Sequence, residues 1–242
     1  FQINSLATLN LLEFTKNYSP DSVFIYVSTN KVYGDNPNKI NFQEQETRYE
    51  ISNNHRYYKG IDETMSIEDC VHSFFGTSKL SADLLVQEYG KNLGLKTVCF
   101  RGGCLTGSSH SGAELHGFLS FLVKTILNKK EYKIFGYKGK QVRDNLHSSD
   151  LVNAFWEFYK KPKKGAIYNI GGSRVSNCSI LEASNLIGTI LKIKPKTKYM
   201  KKNRVGDHMW WITNNRKFVK DFPNWKIKYD IEKIIYEMVR NY

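Results

Sequence analysis

Three short apolar runs, Val23-Phe24-Ile25-Tyr26-Val27, Thr97-Val98-Cys99-Phe100 and Ile167-Tyr168-Asn169-Ile170, each lead into small, polar or glycine residues, and helical patterns lie between them. An unbroken apolar run of this kind suits a strand covered on both faces, and such strands belong to parallel sheets flanked by helices. The connections are far too long for hairpins, and a parallel pair needs a crossover of that size. The runs therefore restrict the chain to the α/β class.

The helical patterns fill in the order of the elements. Asn4 to Tyr18 carries Leu6, Leu9 and Leu12 as an apolar stripe, and Ser19-Pro20 ends it. A second helix is expected from near Gly76 through Leu80, Leu84 and Leu85 to Tyr89, with Lys79 in its first turn. From Asp35 to Asp69 the chain is polar, with an acidic stretch from Glu44 to Glu50, and is too long for a bare connection. Between Glu114 and Asn128, the residues Leu115, Phe118, Leu119, Leu122, Val123 and Ile126 mark an amphipathic helix, and Tyr132 to Phe135 a short strand. Ser148 or Ser149 is suited to cap a helix from about Asp150, marked by Leu151, Ala154, Phe155 and Phe158. Ser179-x-x-Glu182 is a capping box opening another through Ile187, and a last helix starts at Asp230.

Composition excludes several classes. The 242 residues suffice for one or two domains. No apolar run approaches the roughly 18 residues of a membrane span, so no membrane partner is expected. The formal charge of +13 is spread along helix faces, with one dense run from Lys192 to Arg204 and no nucleic-acid module, which reads as a solvated basic surface without a nucleic-acid partner. Cys70, Cys99, Cys104 and Cys178 form no C-x-x-C pair, which suggests free thiols in a reducing cytoplasm. His72, His116 and His147 lack ligand spacing, so a metal site is not expected. Trp210 and Trp211 read as core or interface residues.

The chemistry-bearing words lie at strand ends: Ser28-Thr29-Asn30-Lys31-Val32-Tyr33-Gly34-Asp35, Arg101-Gly102-Gly103, Gly139-Lys140-Gln141-Val142-Arg143-Asp144 and Tyr168-Asn169-Ile170-Gly171-Gly172. The carboxyl edge of an open α/β sheet is where ligands bind. With Ser73-x-x-Gly76-x-Ser78-Lys79, and with Arg204 and Asp207 in the tail, this ordered set resembles the extended short-chain dehydrogenase/reductases, the NAD-dependent epimerases and dehydratases of nucleotide sugars. It resembles most their CDP-hexose 2-epimerase branch. The resemblance runs from Asn4 to the terminal helix.

The resemblance implies an incomplete doubly wound, Rossmann-like parallel sheet over residues 1–110 and a smaller carboxyl-terminal α/β substrate domain over 111–242, with a return strand to the first sheet near 132–170. The family's opening strand and glycine-rich turn have no counterpart here, so an amino-terminally truncated chain is expected. NAD is the implied cofactor, held by Ser28, Lys79 and Arg101. Thr29, Arg143, Arg204 and Asp207 are the implied substrate contacts, Arg143 and Arg204 as a diphosphate clamp; ion pairs of Arg143 with Asp144 or Arg204 with Asp207 are the structural alternative. Thr29 and Lys79 are the implied catalytic pair, Thr29 having strand-end capping as its alternative. The third catalytic position, the tyrosine four residues before the lysine, is Phe75. Without that hydroxyl, Lys79, Tyr33, Tyr57 and Tyr58 are the candidate proton acceptors, and a non-catalytic nucleotide-sugar-binding module is the rival to an epimerase. A homodimer through the helices Asn4 to Tyr18 and Gly76 to Leu93 is also implied.

Overall fold

The computed structural model describes residues 1–114, 117–203 and 206–241. After a π-helical turn at Gln2–Leu6, helix α1 (Ala7–Tyr18) packs on the core through Thr8, Leu12 and Thr15, with Ser5 of the turn, so the expected leucine stripe is buried at Leu12, half-buried at Leu9 and open at Leu6. Leu6 is 52% exposed. The hydroxyls permit this burial, because Thr8 and Thr15 donate to the carbonyls of Asn4 and Leu11, and Ser5 donates to the carbonyl of Ser78.

Strand β1 (Val23–Thr29) runs two residues beyond the apolar run and pairs in parallel with β2 (Lys96–Gly102), Tyr26 beside Cys99. Its other edge is open among the described residues, so β1 is an edge strand here; Val23 and Ile25 pack on one face and Phe24 and Tyr26 on the other, while Val27 is 40% exposed. Helix α2 (Phe74–Lys91) lies between them in sequence. Ser73 caps it, its hydroxyl accepting from the Gly76 amide at 3.1 Å. The helix thus starts two residues before Gly76, which puts Phe75 in the first turn and moves Lys79 into the second.

Beyond β3 (Cys104–Thr106) come α3 (Phe118–Leu127), β4 (Tyr132–Phe135), β5 (Val142–His147), α4 (Ser148–Lys160) and β6 (Ala166–Ile170). Strand β6 lies parallel to β2, with Ile167 beside Cys99, giving a first sheet in the order β1-β2-β6. The alternation of β2 sorts its faces: Cys99 meets Leu12, Ala82 and Val86, whereas Val98 and Phe100 meet Ala154 and Phe158. Helices cover both faces, as parallel strands require. Residues 111–165 therefore leave the first sheet and return to it.

Strand β5 is buried along all six residues, although it reads Val-Arg-Asp-Asn-Leu-His, and no apolar period announces it. It is flanked by β3 and by β9 (Trp210–Trp211) in parallel, and by β7 (Asn177–Ser179) in antiparallel register. His147 caps α4 itself, its Nδ1 accepting from the Ser149 amide, so neither Ser148 nor Ser149 is the cap. The Ser179–Glu182 capping box of α5 (Ile180–Leu191) forms with both reciprocal bonds. Strand β8 (Thr197–Met200) pairs with β4, and α6 (Arg216–Asp221) follows β9. With α7 (Ile231–Asn241), α3 and α5 enclose a second core that includes Leu122, Ile187 and Ile235. Trp210 and Trp211 are fully buried with Val32, Tyr33 and Ile61. The polar segment 35–69 supplies part of that core through Ile51, Ile61 and Met65, and Ile61 bridges to Thr213.

All four cysteines are free. Among the described residues no helix is long and apolar enough to cross a membrane, and no cluster of three or more metal-ligating side chains forms.

Candidate functional site

The exit of β1 meets the start of α2. Lys79 Nζ donates to the Val27 carbonyl at 2.7 Å and lies 4.1 Å from the centroid of the Tyr26 ring. Burial lowers its pKa, and the nearby Asp83 opposes that shift. Thr29 is partly exposed and its hydroxyl accepts from the Lys31 amide at 3.3 Å, capping the 3₁₀ turn Asn30–Tyr33. The strand-end cap is therefore formed. Phe75 is 53% exposed at the head of α2, beside Gly76, where an added Cβ would lie 2.8 Å from the Lys31 carbonyl. Gly76 thus lets the helix start press against the motif.

Ser28 and Arg101 lie behind this surface. Ser28 Oγ donates to Asp83 at 2.5 Å, and Arg101 forks onto both oxygens of Asp83 at 3.1 and 2.8 Å. The third arm of Arg101 donates to the Tyr33 hydroxyl at 3.0 Å, which itself donates to Asn169 at 2.7 Å. Both Ser28 and Arg101 are at most 5% exposed. This geometry gives them a structural task, tying the sheet edge to α2. It also removes Tyr33 as a proton acceptor, since the phenol is inside the protein and burial pushes its pKa up to about 12. Tyr57 is packed in the tryptophan core, and Tyr58 lies under Arg174.

On the other side of the β1 exit, Arg143 of β5 donates to Asp207 at 2.5 Å and to the Val142 carbonyl. Its ion-pair partner is Asp207 and not Asp144. Asp144 Oδ2 instead accepts from the Ser173 and Thr213 amides, both at 2.9 Å, and burial pushes that carboxyl up to about 6. Arg143 and Asp207 line a narrow cavity of about 40 Å3, whose other walls include Gln141 and the apolar Phe118, Ile134 and Ile180. It combines an apolar wall with a cationic end, a combination complementary to an anionic group. Arg204 lies outside the described residues.

Three contributors went unread in the sequence. Lys31 stands within the quoted motif and sends Nζ to the Gly206 carbonyl at 2.8 Å, beside the Arg143–Asp207 pair. Asp83, one turn after Lys79, is the anion at the centre of the buried network. His208 is buried with Nε2 donating to the Gly34 carbonyl at 2.8 Å, and burial followed by the charges of Lys31 and Arg143 holds its pKa well below the usual range. The spacing Arg143…Asp207 carries no local signal, whereas the position of Lys31 inside a strand-end word does.

The chain fits only part of a dinucleotide. Lys79 and Thr29 sit together at the exit of a parallel strand, the edge at which open α/β sheets bind ligands. Among the described residues, however, no glycine turn joins a strand directly to a helix, the arrangement that cradles a pyrophosphate.

Comparisons with known proteins agree with this architecture. The model of the NAD dependent epimerase/dehydratase family matches residues 1–171. CDP-paratose 2-epimerase from Salmonella typhi is 35% identical over 195 residues, covering 77% of this chain and 55% of that protein. An Escherichia coli dTDP-glucose 4,6-dehydratase is 28% identical over 179 residues, 71% of this chain and 45% of that one. The chain spans about half the length of these curated relatives. Among solved structures, Bacillus anthracis dTDP-glucose 4,6-dehydratase in complex with NAD superposes with a TM-score of 0.74 at 27% identity, over 99% of this chain and 67% of that one. Thermus thermophilus UDP-glucose 4-epimerase in complex with NAD gives 0.78 at 20% identity, over 100% and 70%, which shows the shared fold. With its parallel sheet, its strand-end lysine and a model match over 171 of 242 residues, the chain belongs to the NAD dependent epimerase/dehydratase family.

Proposed function

We propose that the protein works on a nucleotide sugar as an NAD-dependent epimerase, with a CDP-hexose inverted at carbon 2 as the substrate and reaction class. The observation that carries this reading is the β1 exit, which bridges two cationic centres. Lys79 reaches back to its last carbonyls, and Lys31 reaches forward to the Arg143–Asp207 pair. The 35% identity to CDP-paratose 2-epimerase supports the choice of sugar chemistry.

NAD, when bound, supplies the acceptance and return of a hydride. The residues of this chain bind and orient. Lys79 offers a donor to a ribose hydroxyl, Thr29 a hydroxyl to the sugar, and Arg143 a planar fork to the diphosphate. Arg204 would join Arg143 in that clamp, and Asp207 fixes the guanidinium of Arg143. Phe75 contributes an apolar ring and no proton. The protein acts in the cytoplasm, and a second copy packs on the outward face of α1, where Leu11, Phe14 and Tyr18 are exposed.

Phe75 also favours a second reading, a nucleotide-sugar-binding module without turnover. Incubating the protein with NAD and CDP-hexoses and following the C2 epimer by NMR separates the two. Conversion is expected to be slow in the wild type and to rise by about two orders of magnitude in Phe75→Tyr, the usual worth of a positioned proton carrier. CDP-hexose binding with no product from either protein would overturn the epimerase and leave the binding module.

A further inference from the structure

Lys31 is a cation with no assigned task in the reading above. Its Nζ donates to a carbonyl, Gly206 O at 2.8 Å, so this hydrogen bond leaves its charge unneutralised. The charged and titratable groups around it come from several elements. Arg143 lies on β5, Asp207 follows Gly206, Cys104 lies on β3, and His208 precedes β9. Tyr137, with its pKa raised by burial, faces the same Arg143–Asp207 pair. Burial pushes the Cys104 thiol up to about 11, and His208 is held neutral, so neither changes charge between pH 7 and about 9. Among the described residues the charges that act on Lys31 are one cation, Arg143, and one carboxylate, Asp207, so the three leave one positive charge in excess, while the Asp144 carboxylate acts on the neighbouring Cys104. Excess positive charge at the wall of a partly apolar cavity is complementary to an anion.

We propose that Lys31 is a second diphosphate-binding residue beside Arg143, and that arrival of the substrate's anionic group is coupled to uptake of a proton by its amine. This rests on the nucleotide-sugar reading of the cavity. In the free protein, burial first and Arg143 second lower Lys31 to about 8, with Asp207 opposing. A bound diphosphate adds negative charge next to the amine and raises that value. Between the two values the complex holds a proton that the free protein does not. Apparent affinity therefore weakens as pH rises past about 8.

The test is calorimetric titration with CDP-glucose and UDP-glucose, whose diphosphates have no proton to titrate near neutrality. Each titration is run at pH 7 and pH 9 in buffers of different ionisation enthalpy. For the wild type, the observed enthalpy should depend on the buffer at pH 9, with uptake of most of a proton, and depend little on it at pH 7. Lys31→Met should weaken binding by about tenfold or more, the worth of one hydrogen bond to a charged group, and abolish the uptake. Lys31→Arg should keep most of the affinity and also abolish the uptake, because a guanidinium stays charged. Arg143→Met should weaken binding and retain part of the uptake, reduced because one of the charges that lower Lys31 is gone. If wild type and Arg143→Met behave as stated but Lys31→Met binds and takes up protons like the wild type, the Lys31 assignment is overturned and the nucleotide-sugar reading stands. If neither nucleotide sugar binds the folded wild type, both fall. Thermal melts of each variant show whether it is folded.

Discussion

Arg101–Asp83 and Arg143–Asp207 pair the same two residue types in opposite surroundings. The first pair is sealed by hydrogen bonds, although Arg101 also borders a second cavity with Glu63 and Gln87. Asp83 accepts from Ser28, Gln87 and both arms of Arg101, Arg101 gives its remaining arm to Tyr33, and both charged residues are almost wholly buried. The second opens on a cavity and has Lys31 beside it as a further cation. A buried pair with its hydrogen bonds complete maintains a shape, whereas a pair with surplus charge at a cavity wall has capacity for a ligand. Residue type does not separate these roles; the count of neighbouring charges does.

The largest expected effect comes from breaking the sealed pair. Asp83→Ala leaves Arg101 buried without its anion, and a loss of about 3–5 kcal/mol of stability is expected in urea unfolding. An effect below about 1 kcal/mol would show that water reaches Arg101 and that the two pairs are less different than described.

A third carboxylate, Asp144, sharpens the contrast because it is buried without a cation. Its folded pKa, about 6, lies above the ordinary 3.8. The folded protein therefore binds more protons than the unfolded chain between those values. Stability conferred by this group is present below pH 3.8 and is lost as pH rises through about 6. Asp144→Asn should remove this slope, so that the difference in unfolding free energy between variant and wild type shifts by roughly 1–2 kcal/mol from pH 4 to pH 7. A difference independent of pH would mean that Asp144 titrates normally.

Arg143→Met tests the open pair. Affinity for a CDP-hexose is expected to fall by about tenfold, with a stability change within about 1 kcal/mol. Stability loss on the scale of Asp83→Ala would reassign Arg143 to the structural class. The smallest effect is expected at the surface: Lys138, exposed and paired with Glu44 at 2.9 Å, should change stability by no more than about 0.5 kcal/mol on replacement by Ala.

Much of the fold was legible because burial follows local periods. The apolar runs gave β1, β2 and β6, the Ser179–Glu182 spacing gave the start of α5, and Tyr132 to Phe135 emerged with the bounds expected. Strand β5 was not legible as a strand, since its buried residues are polar and their partners are distant: Arg143 meets Asp207, and Asp144 meets Ser173 and Thr213. The α1 stripe was legible at Leu12, which is buried, but not at Leu6, which is exposed. Hydroxyls that bond to their own helix can be buried in place of leucines.

The amino-acid sequence by itself determined the α/β class, the order of strands and helices, and the loss of a hydroxyl at Phe75, because each is written in residue types and short spacings. Only the tertiary structure decided that Arg101 faces inward, that Arg143 takes Asp207, and that Lys31 stands beside them. A long charged side chain can reach many positions from one backbone site, and the anion it meets is fixed by how separate elements pack, which no local pattern encodes.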